Sequence, residues 1–319
     1  MMKTLKINEL LIELQKPKYT LILCHRNPDP DTLGSGFGLK SILEYYGSKV
    51  KVACCDKTTR LAFITENANL EYQEDNYERI IAVDVASAMQ LGDLSFLAEK
   101  TDLIIDHHAM NTRFCDYYEE FCGACCEIIF KIAKELGILE KLPKHFFECV
   151  YAGITGDTGG FKYSNTTERT MLYGAEIITY GIDFAEINRL IFDNKTIGEI
   201  KGQELAYKNV KLHCNGKLAT LLLTKSMREE NGITDEDVGD IVNSIRCIEG
   251  VQVAVSVKQT TNDETKYSIS SRSNCDLNVS NICAKIGGGG HTRAAGATLI
   301  ANSPIEAENE VIKLFKALF

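Results

Sequence analysis

Residues 19–55 read YTLILCHRNPDPDTLGSGFGLKSILEYYGSKVKVACC, and the fold follows from them. YTLILC is an apolar run of strand length, SGFGLKSILEYYG has helical spacing, and KVKVACC is a second strand-like run. The alternation continues outward through RIIAVDV at 79–85, DLIID at 102–106 and the helical CEIIFKIAKELGIL at 126–139. Strands alternating with helices build a parallel sheet wrapped by helices, an α/β fold. The runs around Leu21, Ile81 and Ile104 are almost wholly apolar, as central strands covered on both faces must be.

From about Thr166 to Lys211 the pattern is helical, with TMLYGAEIITYG and IGEIKGQELAYKNV placing apolar residues three and four apart. Strands return after about Val210 as KLATLLL, VQVAVSV and KYSISSR, then a short helix NVSNICAKI, a glycine run, the strand ATLIA and a closing helix from Pro304. This second part reads as a smaller α/β domain with a mixed sheet. The expected organisation is a first domain over 1–190, a helical linker over 191–211 and a second domain over 212–319. A chain of 319 residues suits two such domains, each with its own core.

With 45% hydrophobic and 25% charged residues, the composition is that of a folded globular protein. The opening MMKTLKINELLIELQK is broken by Lys and Glu where a signal peptide needs an unbroken apolar region, and no run approaches the roughly 20 apolar residues of a membrane span. A cytoplasmic chain that meets no membrane is the expectation. Its 12 cysteines then read as reduced, mostly buried thiols. Cys122 and Cys125 in CGACC have a zinc-like spacing, but no second pair or nearby histidine completes a site. The net charge of −9 argues against a grip on long nucleic acid, so any nucleic-acid substrate should be short.

Three expected strands run into metal-type ligands. YTLILC leads to His25, Asp29 and Asp31, RIIAV to Asp84, and DLII to Asp106, His107 and His108. The carboxyl ends of parallel strands gather along one edge, where ligands bind near a topological switch point. Asp157 in GITGDTGGF follows an apolar stretch among glycines and is a fourth source. Taken singly, His25 is an ordinary strand-end histidine, Asp29 and Asp31 are turn or helix-cap residues, Asp84 caps a helix and Asp157 sits in a turn. Four segments supplying such residues together are better explained by cations that neutralise the carboxylates. Carboxylates mixed with imidazole suit Mn²⁺ first and Mg²⁺ second. Gly34, Gly36 and Gly38 have the wrong spacing for a dinucleotide loop and are expected to let a helix pack closely on the sheet.

In the second half, Arg272 in SSRS and the stretch GGGGHTRAAG at 287–296 offer phosphate chemistry. Gly288, Gly289 and Gly290 can turn backbone amides toward an anion beside His291 and Arg293, and the planar fork of Arg suits phosphate.

These residues resemble the DHH phosphoesterases, along almost the whole chain. HRNPDPD at 25–31 matches the pattern HxNPDxD, VDVAS at 83–87 a second element, Asp106–His107–His108 the name-giving triplet, GDT at 156–158 a fourth, and GGGGHTRAAG the associated C-terminal domain. Pro30 stands where many members have glycine, and no ligand is lost. The resemblance implies an active site in the cleft between the domains. One metal would be held by His25, Asp29 and Asp84, and a second by Asp31, Asp84, His107 and Asp157. His108 and Asp84 would be the catalytic pair, Asp106 a supporting residue behind them, and Arg272, Gly288 to Gly290, His291 and Arg293 the substrate-binding set. It further implies hydrolysis of short single-stranded RNA or DNA oligonucleotides, dinucleotides or adenosine 3′,5′-bisphosphate, with two divalent ions, and a homodimer. A cyclic or linear dinucleotide phosphodiesterase, a manganese-dependent inorganic pyrophosphatase and a non-catalytic nucleotide sensor are the alternatives, the glycine-rich ending arguing against the pyrophosphatase.

Overall fold

The structure, a computed structural model, describes residues 2–56, 60–108 and 112–319, with the side chain of His291 outside the description. The chain divides into two compact units, Met1–Asn194 and Lys195–Phe319.

The first unit begins with α1 (Ile7–Leu14), β1 (Thr20–Leu23), α2 (Pro30–Tyr45), β2 (Val50–Ala53) and α3 (Ala62–Thr65). It continues with β3 (Arg79–Val83), β4 (Leu103–Asp106), β5 (Asp116–Glu119), α4 (Cys125–Glu135), α5 (Lys144–Asp157), α6 (Glu168–Ile178) and α7 (Phe184–Asn188). The strands form one parallel sheet in the order β2-β1-β3-β4-β5. Every residue of β1, β3 and β4 is buried, which is why these runs are apolar apart from Thr20, Arg79 and Asp106 at their ends. The edge strand β5, DYYE, has charged ends and too little apolar length to stand out in the sequence.

Helix α2 starts where Asp29 caps it and Pro30 fills its first turn, since Pro lacks only an N–H that would be unpaired there. Its glycines act in two directions. A Cβ on Gly36 would meet Cys24 Sγ at 2.8 Å, so this glycine brings the helix onto the sheet as expected. Gly34 and Gly38 instead face helices, with a Cβ on Gly34 lying 2.4 Å from the Cys149 carbonyl of α5 and one on Gly38 lying 3.0 Å from Ile129 of α4. The three glycines therefore wedge α2 between the sheet and α4 and α5.

The second unit contains α8 (Ile197–Asn209), β6 (Lys211–His213), β7 (Leu218–Leu223), α9 (Lys225–Glu230), α10 (Val242–Arg246), β8 (Val253–Gln259) and β9 (Lys266–Ser273). It ends with α11 (Ser280–Ala284), β10 (Gly289–His291), β11 (Ala294–Ile300) and α12 (Pro304–Lys316). Its sheet is mixed, in the order β10-β11-β9-β8-β7-β6, with β7 and β8 parallel and the other pairs antiparallel. Helix α8 buries Gly202 and Ala206 within this unit, Ala206 packing with Leu221, Leu223 and Val238. Helix α12 buries Ala307, Val311 and Phe315 in the same unit. No helix among the described residues is long and apolar enough to cross a membrane.

Gly34→Ala drives a methyl into a backbone carbonyl that cannot swing away, so urea unfolding followed by circular dichroism should show a loss of about 1–3 kcal/mol. An unchanged midpoint would mean that α2 and α5 have room the structure does not show.

Candidate metal centre

Strand order fixes where the site lies. The chain leaves β1 toward β2 on one side and returns to β3 on the other, so the switch point falls between the carboxyl ends of β1 and β3. His25 follows β1, Asp84 directly follows β3, and His107 and His108 directly follow β4. Asp84 adopts a left-handed backbone (φ +57°), a conformation that Asp tolerates better than most residues, while its amide donates to the Ile105 carbonyl at 2.9 Å. Asp29 and Asp31 come from the start of α2 and Asp157 from the last residue of α5.

The side chains form three overlapping groups: His25, Asp29 and Asp84; Asp31, His107 and Asp157; and Asp84, His107 and His108. Within each, the candidate ligand atoms lie within 4.8 Å of one another. Asp84 joins the groups. Its Oδ2 faces His25 Nε2 at 3.3 Å and its Oδ1 faces His107 Nε2 at 3.4 Å. His25 Nε2 also faces Asp29 Oδ2 at 3.5 Å, and His107 Nε2 faces Asp31 at 3.7 Å and Asp157 at 3.5 Å.

Both imidazoles are oriented from behind. Nδ1 of His25 donates to the Arg26 carbonyl at 2.7 Å, and Nδ1 of His107 donates to the Cys122 carbonyl at 3.1 Å. In the neutral ring this leaves a lone pair on each Nε2, aimed at carboxylate oxygens that carry lone pairs of their own. Such an arrangement requires a proton or a cation in the gap. His108 is held differently, its Nδ1 donating to Asp106 Oδ1 at 2.7 Å and lying 3.5 Å from Asp84 Oδ1.

Asp29 shows that the plain and the functional reading of a residue can both hold. Its Oδ1 caps α2 by accepting from the amides of Asp31 and Thr32, while its Oδ2 turns toward His25. Asp31 is buried, and its two oxygens accept from the amides of Cys125 at 2.6 Å and Cys126 at 2.9 Å, at the start of α4. That helix N-terminus favours the carboxylate, whereas Asp157 sits at a helix C-terminus, where the dipole repels it.

The electrostatics reflect this crowding. Burial, reinforced by the charge of Asp84, pushes the Asp31 carboxyl up to about 7, and burial with the charge of Asp31 pushes Asp157 well above the usual range. Burial opposes ionisation of Asp84 too, but the imidazoles of His107 and His25 facing it outweigh burial and hold this carboxyl low. Burial would lower the imidazoles of His25 and His107, yet the carboxylates facing them hold both well above the usual imidazole range.

Divalent cations fit this donor set on two counts. Asp84 Oδ1 is buried and accepts no hydrogen bond among the described residues, although buried carboxylate oxygens are normally satisfied. The nitrogens and carboxylate oxygens stand too far apart for good hydrogen bonds while converging on common points, and oxygen-rich donors with imidazole are the choice of hard or borderline divalent ions. Cys122 and Cys125 lie outside these groups. Their thiols are buried and donate to the carbonyls of Ala124 and Ile105.

Several contributors carried no signal of their own in the sequence. Cys122 acts through its carbonyl, and Cys125 and Cys126 through their amides. Gly153 clears space, since a Cβ there would meet Asp31 Oδ1 at 2.8 Å. Gly156 likewise lets α5 approach Pro30, where a Cβ would come within 2.9 Å. The glycines around Asp157 thus admit the 29–31 turn.

The candidate substrate residues lie in the second unit. Arg272 on β9 pairs with Ala294 of β11, which pairs in turn with His291 of β10, so Arg272 and His291 share one line across three strands. Arg272 Nη1 donates to the Ser271 carbonyl, and Arg293 pairs with Asp276 at 2.8 Å. The side chain of His291 lies outside the described residues. The glycine run is partly a strand. Gly289 and Gly290 pair with Gly296 and Ala295, the Gly288 amide donates to the Cys283 carbonyl, and a Cβ on Gly288 would sit 2.2 Å from the Gly296 carbonyl. These glycines permit close backbone packing at the end of α11.

Fold and site together define an α/β protein with a carboxylate and imidazole centre at the switch point of a parallel sheet. Residues 19–154 match the DHH family, N-terminal domain, and residues 215–319 match the DHHA1 domain. The probable bifunctional oligoribonuclease and PAP phosphatase NrnA of Streptococcus mutans is 31% identical over 301 residues, covering 92% of this chain and 93% of that one. The bifunctional oligoribonuclease and PAP phosphatase NrnA of Bacillus subtilis is 28% identical over 289 residues, covering 88% and 90%. The crystal structure of an exopolyphosphatase-related protein from Bacteroides fragilis superposes with a TM-score of 0.87 over 98% of this chain and 94% of that one, at 22% identity, which establishes the shared fold. The chain belongs to the DHH family.

The titrating groups make a testable statement about pH. A group whose folded pKa is raised adds stability below its unfolded pKa and loses it as pH climbs through the folded value. Asp31, Asp157, His25 and His107 are all raised, whereas Asp84, held low, matters only as pH falls through the acid range. The thermal midpoint of the metal-free protein should therefore fall from about pH 5 to about pH 8. Added Mn²⁺ should raise the midpoint by about 5 °C or more at the upper end, and by less at the lower end, where protons compete. A metal-free midpoint that climbs across this interval would contradict the assignment.

Proposed function

We propose that this chain is a two-metal phosphoesterase that hydrolyses short oligonucleotides to mononucleotides and adenosine 3′,5′-bisphosphate to AMP. The observation that carries the reading is the single carboxylate of Asp84, whose two oxygens face the histidines of two ligand groups. The names of the Streptococcus mutans and Bacillus subtilis relatives, oligoribonuclease and PAP phosphatase, support the choice of substrate. In this reading His25, Asp29 and Asp84 would hold one ion and Asp31, Asp84, His107 and Asp157 would hold the other, with Mn²⁺ preferred to Mg²⁺. Bound there, divalent ions would supply positive charge to neutralise phosphoryl oxygens and the acidity to activate a water.

The chain's own groups do the rest. The Arg26 and Cys122 carbonyls fix the tautomers of His25 and His107, so that each ring presents Nε2. Burial disfavours a charged His108, but its bond to Asp106 outweighs this and raises its pKa, which suits it to donate to a phosphoryl oxygen. Arg272, Gly288 to Gly290, His291 and Arg293 bind the substrate anion, the arginines through paired donors. The acidic balance of the chain, −9, fits short substrates better than long nucleic acid. The cytoplasm is the compartment in this proposal, and the family resemblance is the ground for a homodimer.

Purified protein with Mn²⁺ should release mononucleotides from dinucleotides and short RNA, and phosphate from adenosine 3′,5′-bisphosphate. Asp84→Ala should abolish turnover, His108→Ala should lower kcat by about 10²–10³-fold, and Arg272→Ala should raise KM by about 10–100-fold. Turnover of pyrophosphate alone, or of cyclic dinucleotides alone, would reassign the substrate. Nucleotide binding without hydrolysis under any metal would make the protein a sensor.

A further inference from the structure

Glu127 is wholly buried, one residue beyond the amides that hold Asp31, and the chemistry above makes no use of it. Its acceptors are filled from two directions. Oε1 accepts from the Gly123 amide at 3.1 Å and the Thr170 hydroxyl at 2.7 Å, and Oε2 accepts from Arg169 Nε at 3.1 Å. Arg169 also pairs with Glu120, which Lys131 holds at 2.7 Å. Arg169 and Thr170 lie in the first turn of α6, whose dipole favours a carboxylate.

The segment fastened in this way, residues 122–126, touches the metal centre with backbone atoms at three places. The Cys122 carbonyl orients His107, and the Cys125 and Cys126 amides hold Asp31. The Gly123 carbonyl accepts from Asn165 Nδ2 at 2.9 Å, and the same nitrogen donates to the Asp157 carbonyl at 3.1 Å. Gly123 has no slack, since a Cβ there would lie 2.7 Å from Glu127 Oε1 and 3.1 Å from the Asn165 carbonyl. Backbone atoms cannot be tuned by their own side chains, so the placement of this segment has to come from what grips it.

We propose that the ion pair of buried Glu127 with half-buried Arg169 is a positioning device for the metal centre, setting His107, Asp31 and Asp157 through the 122–126 segment that Glu127 anchors. The proposal rests on the metal reading given above. Glu127 touches neither metal nor substrate; it acts on the ligands through the backbone. Glu127→Gln keeps the volume but sets an amide donor against either Arg169 or the Gly123 amide, and Thr170→Val removes one hydroxyl from the grip.

The test is Mn²⁺ binding by the full-length protein, read from the electron paramagnetic resonance of free Mn²⁺, alongside the urea midpoint of each protein in EDTA. Glu127→Gln should weaken Mn²⁺ binding about 10-fold or more. Thr170→Val should weaken it less, and Lys211→Gln, which breaks an ion pair with Glu308 in the second unit, should leave it unchanged. Excess Mn²⁺ should restore dinucleotide turnover in the folded variants, which a general loss of structure would not allow. If Glu127→Gln does not fold, Thr170→Val carries the comparison. Wild-type affinity in the folded variants overturns the positioning role and leaves the metal reading intact. Failure of the wild-type protein to take up Mn²⁺ or Mg²⁺ overturns both.

Discussion

The carboxylates of Asp29, Asp31, Asp84 and Asp157 meet at the switch point between β1 and β3, and their mutual repulsion is the constraint around which the first unit is arranged. Like charges this close repel one another and resist burial together. The fold relieves part of the strain itself. Helix α4 points its first amides at Asp31, α2 offers its own to Asp29, and two histidines approach Asp84 from opposite sides. The part left unrelieved, centred on the orphaned Oδ1 of Asp84 and on Asp157 at the wrong end of its helix, is what cations would satisfy.

Bringing the donors so close demands close approach of the backbone. Helices α2, α4 and α5 come together only because Gly34, Gly38 and Gly153 carry no Cβ, and Gly156 admits Pro30 beside α5. The same absence of side chains serves stability and the site together. A methyl at Gly34 disturbs the wedge of α2, whereas one at Gly153 would press on Asp31 itself. Rigid elements rather than loops therefore set most of the ligand positions, as a preorganised centre requires.

The second unit treats glycine in another way. The run at 287–290 reads in isolation as a loop free to wrap an anion, yet much of its backbone is engaged in a hairpin and in closing α11. The pairing also places Arg272 and His291 on one line of the sheet, an alignment that arises from register. Arg272 and Ala294, distant along the chain, become neighbours across β9 and β11 because antiparallel pairing fixes which residues face one another.

The sequence makes the central strands legible, because strands buried on both faces are mostly apolar and β1, β3 and β4 are so apart from Thr20, Arg79 and Asp106 at their ends. It also determined which residues gather at the sheet edge, since ligands that follow successive parallel strands have no other place to go. How those ligands are held follows from packing alone. The Cys122 carbonyl, the Cys125 and Cys126 amides and the pairing of Glu127 with Arg169 leave no distinctive pattern in the chain, because any residue supplies a carbonyl or an amide and a lone Glu or Arg reads as a solvated charge. Their roles arise from three-dimensional proximity: α4 happens to begin beside Asp31, and α6 brings Arg169 to a carboxylate 42 residues earlier. Side-chain chemistry is written in the sequence, whereas backbone contacts and long-range pairings exist only once the chain has packed.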